Sequence, residues 1–426
     1  MAAPPSRGRQ LFGGAAGNLV EWFDWYAYSA FALYFAPAFF PKGDPVAQAL
    51  STAAVFAVGF LMRPIGGWLL GVYADRKGRK AALTLSVALM CTGSLLIAVS
   101  PTYAQAGIIA PLLLLVARLI QGLSVGGEYG ASATFMSEVA SARHRGFLAS
   151  FQYVTLVGGQ LLALALLIVM QSSLTEAQLE GWGWRVPFVV GALCAVLVFW
   201  LRRSLVETDA FTALSDAERN TSSGGLMRRL LAHPRALWTV LALTAGGSTA
   251  FYTFTTYMRK YLVLSAGWSK PDATNVSALA LLGYAALQPV VGALSDRIGR
   301  RPLLITFGIG GMMLTVPAMT AIGQATGRLE GFVLIMAALT VLSCYTAISG
   351  VVKAEMFPAN IRALGVGLPY GIGVAVFGGS AEYVALAFKS AGHESGFFWY
   401  VAVLCGIALT AAVLLPDTRR NSRIEA

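Results

Sequence analysis

Long apolar runs, each ended by a short polar break, cover almost the whole chain. Twelve can be marked, with approximate limits 14–38, 49–73, 82–100, 108–138, 146–171, 185–202, 235–262, 274–295, 303–323, 331–356, 364–388 and 396–415. A helix that crosses a bilayer needs roughly 20 apolar residues at about 1.5 Å of rise each. The pattern therefore predicts an all-α polytopic membrane protein of 12 transmembrane helices. The longest polar connector, 204–233, holds the turn-rich string ERNTSSGG from Glu218 to Gly225, which reads as a linker. It separates a six-helix bundle in 1–203 from a second in 234–426.

Composition agrees: 57% of residues are hydrophobic and 12% charged, against about a quarter charged in soluble domains. A net charge of +11 would suggest nucleic acid in a soluble chain. Here most Lys and Arg fall at the N-terminus, in the even-numbered loops and at the C-terminus, flanking spans rather than forming a patch. By the positive-inside rule both termini are cytoplasmic, and nucleic acid is excluded as a partner. Cys91, Cys194, Cys344 and Cys405 lie in apolar runs without paired spacing and read as small hydrophobes, with no disulfide or metal site. The basic start MAAPPSRGRQ has no cleavage pattern, so no removable signal peptide is expected.

The two halves repeat one another. GVYADRKGRK (Gly71 to Lys80) follows span 2 and GALSDRIGRR (Gly292 to Arg301) follows span 8; SEVASARHRG (Ser137 to Gly146) after span 4 is echoed by AEMFPANIRALG (Ala354 to Gly365) after span 10. Such a repeat suggests two bundles facing each other across a cavity. The pattern G-x-x-x-D-R/K-x-G-R/K-R/K, carried by Gly71, Asp75, Arg76, Gly78, Arg79 and Lys80, resembles the signature of the major facilitator superfamily. GNLVEWFDWYAY, FLMRPIGGWLLG, RLIQGLSVGGEYG and EMFPANIRALGVG are similar to its metabolite:proton symporters, the branch with permeases for 2-oxoglutarate, citrate, shikimate and proline/betaine. FQYVTLVGGQLLAL, FYTFTTYMRKYL, SGVVKAEMFP and FGGSAEYVAL resemble its 2-oxoglutarate permeases. The resemblance implies uptake of a dicarboxylate by proton symport in the cytoplasmic (inner) membrane, by a monomer, with no cofactor beyond the coupling proton. Another organic acid or a zwitterion is the alternative within the same fold.

Ionisable groups in a bilayer cost about 2.5–3.5 kcal/mol on insertion scales, so they face a bundle interior or an aqueous cavity. The candidates are Glu21, Asp24, Arg63, Arg118, Glu128 and Glu382. Arg63 lies twelve residues before Asp75, about 18 Å up its helix and near the midplane; Arg118 is also within the hydrocarbon. Two guanidinium forks suit a substrate with two carboxylates; alternatively each arginine pairs with an acid of its own half. Uptake of an anion against a negative interior costs about 2.3 kcal/mol per charge per 100 mV, so accumulation needs a co-transported cation. Glu21 and Asp24, at i and i+3 on one face with Tyr28 extending the stripe, are the candidate proton carriers. A fixed salt bridge between spans 1 and 4 is the competing reading.

Uncharged polar residues complete the candidate site: Gln152, Tyr153 and Gln160 on span 5, Tyr252 and Thr256 on span 7, Tyr284 and Gln288 on span 8. They orient a substrate or tie neighbouring helices together. The family likeness implies that spans 1, 4, 7 and 10 line the cavity and that the counterpart of Tyr252 faces it. It implies too that Gly71, Asp75, Arg79, Asp296 and Arg300 form gating latches, each Asp capping a helix of the other bundle and each Arg pairing across the interface. Lys353, two residues before Glu355, reads as an inner-gate pair or a snorkelling cation. Glycines in span 2 (Gly59, Gly66, Gly67) and span 4 (Gly122, Gly126, Gly127, Gly130) fit close helix packing. A membrane enzyme is the reading from another class; His144, His233 and His393 fall in loops or at helix ends and form no catalytic cluster.

Overall fold

In hydrocarbon every backbone N–H and C=O needs an internal partner, so a chain this apolar can cross only as helices or as a closed barrel. It takes the helical route. The computed structural model describes residues 7–41, 44–77, 79–126, 143–203, 223–358, 361–416, 418 and 424; within these, the side chains of 7–18, 71–72, 74–77, 79–80, 82–83, 200–203, 223–226 and 363 are left out of the description. Among the described residues twelve spans follow one another. In the first half they are α1 (Arg7–Phe39), α2 (Pro45–Lys77), α3 (Arg79–Val99), α4 (Ile109–Val125), α5 (Arg145–Ser173) and α6 (Val186–Arg203). The second half has α7 (Pro234–Phe251, Tyr252–Tyr257 and Met258–Leu264), α8 (Lys270–Ile298), α9 (Arg301–Gln324), α10 (Arg328–Thr346 and Ser349–Glu355), α11 (Arg362–Gly373, Val374–Gly378 and Ala381–Ser390) and α12 (Glu394–Leu414). Seven described helices are long and apolar enough to cross a membrane by length and composition. Glu128 and Glu138, with Gly127 and Gly130, lie outside the described residues, as does 204–222 of the connector. The rest of that connector is not all loop, since Ser223–Leu231 is helical.

An even number of alternating spans brings both chain ends to one face, here the terminal side; the opposite face is the far side. Within the first half α1 packs on α5 and α6, α2 on α4, and α3 on α4 and α6; within the second, α9 packs on α10 and α12, α7 on α12 and α8 on α10. The halves meet along two seams, α5 with α8 and α2 with α11.

Small residues set the closest approaches, because lipid tails give helices no hydrophobic reason to associate and contact depends on packing. A Cβ on Gly122 would stand 2.1 Å from the Gly59 carbonyl oxygen, one on Gly66 2.1 Å from that of Leu123, and one on Gly126 2.1 Å from that of Arg63. Only glycine allows α2 and α4 to lie this close. At the α5–α8 seam a Cβ on Gly146 would meet the Gly292 carbonyl at 2.6 Å.

Two spans contain a π-helical turn, Tyr252–Tyr257 in α7 and Val374–Gly378 in α11. Such a turn carries one residue more than an α-turn and loosens the carbonyl ladder. Neighbouring side chains use the carbonyls: Gln160 Nε2 of α5 donates to Thr255 O at 3.1 Å and Thr249 Oγ1 of α7 donates to Phe377 O at 3.3 Å.

Candidate functional site

The middle of α1 places an aromatic ladder in the first half. Trp25 is fully buried and packs against Phe56 and Phe60 of α2. Two arginines stand over its ring: the Arg63 guanidinium is 4.2 Å from the ring centre and that of Arg118 4.0 Å. Arg63 also faces Phe60 at 4.1 Å, while Arg118 faces Tyr28 at 4.5 Å. Cation–π contact of this kind favours a desolvated guanidinium, yet it does not use the N–H donors. The Nε and Nη2 of Arg63 and the Nε and Nη2 of Arg118 are buried without a hydrogen-bond partner, as is Trp25 Nε1. Phe60 packs on Tyr252 of α7, ring centres 5.1 Å apart, which brings this site to the seam between the halves.

Asp24 is fully buried and turns away from the seam, into its own bundle. Ser94 Oγ of α3 donates to Asp24 Oδ1 at 2.5 Å and Gln121 Nε2 of α4 donates to Oδ2 at 2.7 Å. Arg118 Nη1 in turn donates to Gln121 Oε1 at 2.8 Å. The acid and the arginine are thus joined through an amide rather than by a direct ion pair, so the fixed span 1–span 4 salt bridge is not what Asp24 makes. The α6 backbone at Gly191 lies against the carboxylate; a Cβ there would sit 2.2 Å from Oδ1. Glu21, one turn earlier, is buried.

The uncharged candidates divide. Tyr28 is buried beneath Arg118 and donates to Thr52 O at 3.0 Å. Gln160 spends Nε2 on Thr255 of the opposite half while its Oε1 has no partner. Gln152 and Tyr153 of α5 and Tyr252 and Thr256 of α7 are buried; Tyr153 packs edge-on across the halves against Phe251 at 5.6 Å and Thr256 Oγ1 lies 3.4 Å from Thr255 Oγ1. Gln288 instead ties α8 to α10. It accepts from Thr346 Oγ1 at 2.9 Å, and that hydroxyl lies 2.7 Å from Tyr284 OH. Helix tying is therefore the contact that Gln288 makes here.

Glu382 of α11 forms a buried ion pair with Lys260 of α7. Lys260 and Arg259, within the seventh apolar run (235–262), are inside the protein, with 1% and 3% of their surfaces exposed. Arg259 Nη2 crosses to the first half and donates to Ser29 O at 3.2 Å and Ala30 O at 2.5 Å. The helix continues beyond this dipeptide to Leu264. Sequence did not single out Gln121; the signal was its place one helical turn after Arg118.

On the terminal side, Asp296 at the end of α8 accepts from the backbone N–H groups of Gly146 and Phe147, at 2.8 and 2.9 Å. These open α5 in the other half and have no acceptor within their own helix. Arg300 pairs with Asp296 at 2.9 Å and with Glu355 at 3.6 Å, both of its own half. Glu355 also accepts from Thr418 at 2.6 Å. Lys353 donates to Ser349 at 2.7 Å and stands 4.1 Å over Tyr370. Gly71, Asp75 and Arg79 lie in α2 and α3, their side chains outside the described residues.

Two helical bundles, buried charges beside their junction and a charge-to-helix contact across the seam define the class: a polytopic membrane protein with a polar site at the junction of two repeated halves. The comparisons with known proteins give the family. The Sugar (and other) transporter family profile matches residues 12–226 and the Major Facilitator Superfamily profile residues 260–426. The chain is 52% identical over 414 residues to the alpha-ketoglutarate permease of Escherichia coli K12, covering 97% of this chain and 95% of that one. It is 34% identical to the citrate-proton symporter of Klebsiella pneumoniae, covering 93% and 89%. Its backbone matches a partially occluded inward-open structure of the xylose transporter XylE from E. coli with a TM-score of 0.75 at 18% identity, over 95% and 97% of the two chains. The chain belongs to the major facilitator superfamily.

Proposed function

We propose that this protein takes up 2-oxoglutarate or a closely related dicarboxylate together with protons, by alternating access of its two halves, as a monomer in the cytoplasmic membrane with both termini inside. One observation carries the substrate class: four guanidinium nitrogens of Arg63 and Arg118 lie buried and unpartnered over a single indole beside the seam. A buried charged donor without an acceptor costs more than the same donor in water. A carboxylate meets that demand, and two arginines meet it for two carboxylates. The relatives named above support the same chemical class.

Coupling follows from the Asp24–Gln121–Arg118 chain. With Asp24 ionised, the Gln121 amide is held with N–H toward Asp24 and its oxygen toward Arg118. A proton on Asp24 weakens that hold, so the protonation state of an acid outside the substrate site changes the donors offered inside it. Glu21 is the second candidate carrier. Asp75, Arg79, Asp296, Arg300, Lys353 and Glu355 serve as terminal-side gates, Gly71 as the close-packing position beside them, and 204–233 as the linker between the halves. No catalytic step and no cofactor enters this cycle.

The test is counterflow in proteoliposomes with labelled 2-oxoglutarate and competing carboxylates, under an imposed pH gradient. Absence of 2-oxoglutarate exchange or competition refutes the substrate; exchange without gradient-driven accumulation refutes symport. Arg118→Ala is expected to abolish binding. Asp24→Asn is expected to keep exchange and lose proton-driven accumulation.

A further inference from the structure

The far-side cluster of Arg259, Lys260, Glu382 and Ser29 holds two cations and one acid, all at least nine-tenths buried. Lys260 has Glu382 as its counter-ion, and Ser29 Oγ donates to the other carboxylate oxygen, Oε2, at 3.3 Å. Arg259 uses Nη2 on the α1 carbonyls, while its Nη1 is buried without a partner. The cluster is therefore one acid short, with a guanidinium donor left over.

Its place along α1 gives that deficit a meaning. Arg118 stacks on Trp25 and Tyr28. Arg259 and Lys260 sit at Ser29 and Ala30, about 6 Å further along the helix than Trp25. Lys270 lies 4.7 Å over Tyr34, about 7 Å beyond, and is partly exposed and held by Glu176 at 2.6 Å and Glu180 at 3.0 Å. Cations from α8, α7 and α4 thus mark steps from the far surface to the central arginines.

We propose that Arg259 and Lys260 form a second carboxylate site on this route, where a substrate carboxylate binds Arg259 Nη1 and exchanges with Glu382 for Lys260. One carboxylate replaces another, so the lysine is never left desolvated and unpaired, which would be the costly state. Displaced Glu382 keeps the Ser29 hydroxyl. Binding at Nη1 leaves in place the bonds from Arg259 Nη2 to Ser29 O and Ala30 O. This inference rests on the transport reading above.

The experiment measures apparent KM for labelled 2-oxoglutarate presented from the far side, in three single variants. Arg259→Gln and Lys260→Gln are expected to raise it about ten-fold or more, the worth of one lost charge-assisted bond. Glu382→Gln, which removes the competing acid, is expected to lower it below wild type. If the Lys260–Glu382 pair is only a strut, breaking it from either end shifts KM the same way, and that result, or an unchanged KM in Arg259→Gln, overturns the proposal. Should these variants fail to fold, Ser29→Cys leaves the ion pair intact. Against the background of the four native cysteines, it is expected to react faster with an anionic sulfonate thiol reagent than with a trimethylammonium one. Equal or reversed rates overturn the site. Failure of wild-type 2-oxoglutarate exchange would instead refute the substrate reading, and the charge preference of the labelling would still test the anion site.

Discussion

Asp296→Ala removes the contact by which the end of α8 grips the start of α5. Two backbone N–H groups, on Gly146 and Phe147, lose a carboxylate acceptor at 2.8 and 2.9 Å. Each charge-assisted bond contributes about 1.5–3 kcal/mol, and the lower figure applies because both partners regain water when the seam opens. The pair is therefore worth about 3 kcal/mol to the conformation closed on the terminal side. At 1.4 kcal/mol per factor of ten, the balance moves roughly 100-fold toward the open one. Arg300 loses its 2.9 Å bond to Asp296 but keeps Glu355 as a counter-ion at 3.6 Å, so the second bundle loses some stability while the seam contact is removed outright. Spin labels at the terminal-side ends of α5 and α8 should report a longer distance in the variant, and turnover should fall because one conformation is over-populated. Competition among carboxylates should be unchanged, since Asp296 does not reach Arg63 or Arg118. An unchanged distance, or an altered order of substrate preference, would refute the reasoning.

Gly122→Ala puts a methyl group 2.1 Å from the Gly59 carbonyl, so α2 and α4 must part; a loss of about 1–3 kcal/mol, read as a lower melting temperature in detergent, should accompany weakened substrate binding. Gln121→Leu keeps the side-chain volume but cuts the link between Asp24 and Arg118; exchange should survive with reduced affinity while accumulation driven by a pH gradient fails, and intact accumulation would remove Gln121 from the coupling route. Gln288→Leu removes the nearer acceptor of Thr346, leaving the Leu342 carbonyl at 3.3 Å, and should cost about 1 kcal/mol of stability with KM unchanged; a raised KM would place Gln288 in the substrate site.

Much of this architecture was legible in the sequence because insertion in a bilayer is governed by local hydrophobicity. Twelve apolar runs gave twelve spans, and a charge that survives inside one, such as Arg63 or Arg118, announces itself. Direction was harder to read. Gln288 and Gln160 are both polar residues on long spans, yet one ties α8 to α10 and the other reaches the opposite half, a choice set by partners far away in the chain. Asp24 shows the same limit: its neighbours Ser94 and Gln121 come from two other helices, so the acid's orientation into its own bundle could not be derived from the i, i+3 spacing with Glu21.

The π-turn from Tyr252 to Tyr257 gives α7 one place where a change of length is absorbed. An α-helix turns about 100° per residue, so deleting a residue in a regular stretch swings everything beyond it by that angle. The π-turn holds its surplus residue within the turn. Deleting one residue there would restore the regular ladder and leave Arg259 and Lys260 facing as they do. What such a deletion removes is the loosened Thr255 carbonyl that Gln160 of the other half uses.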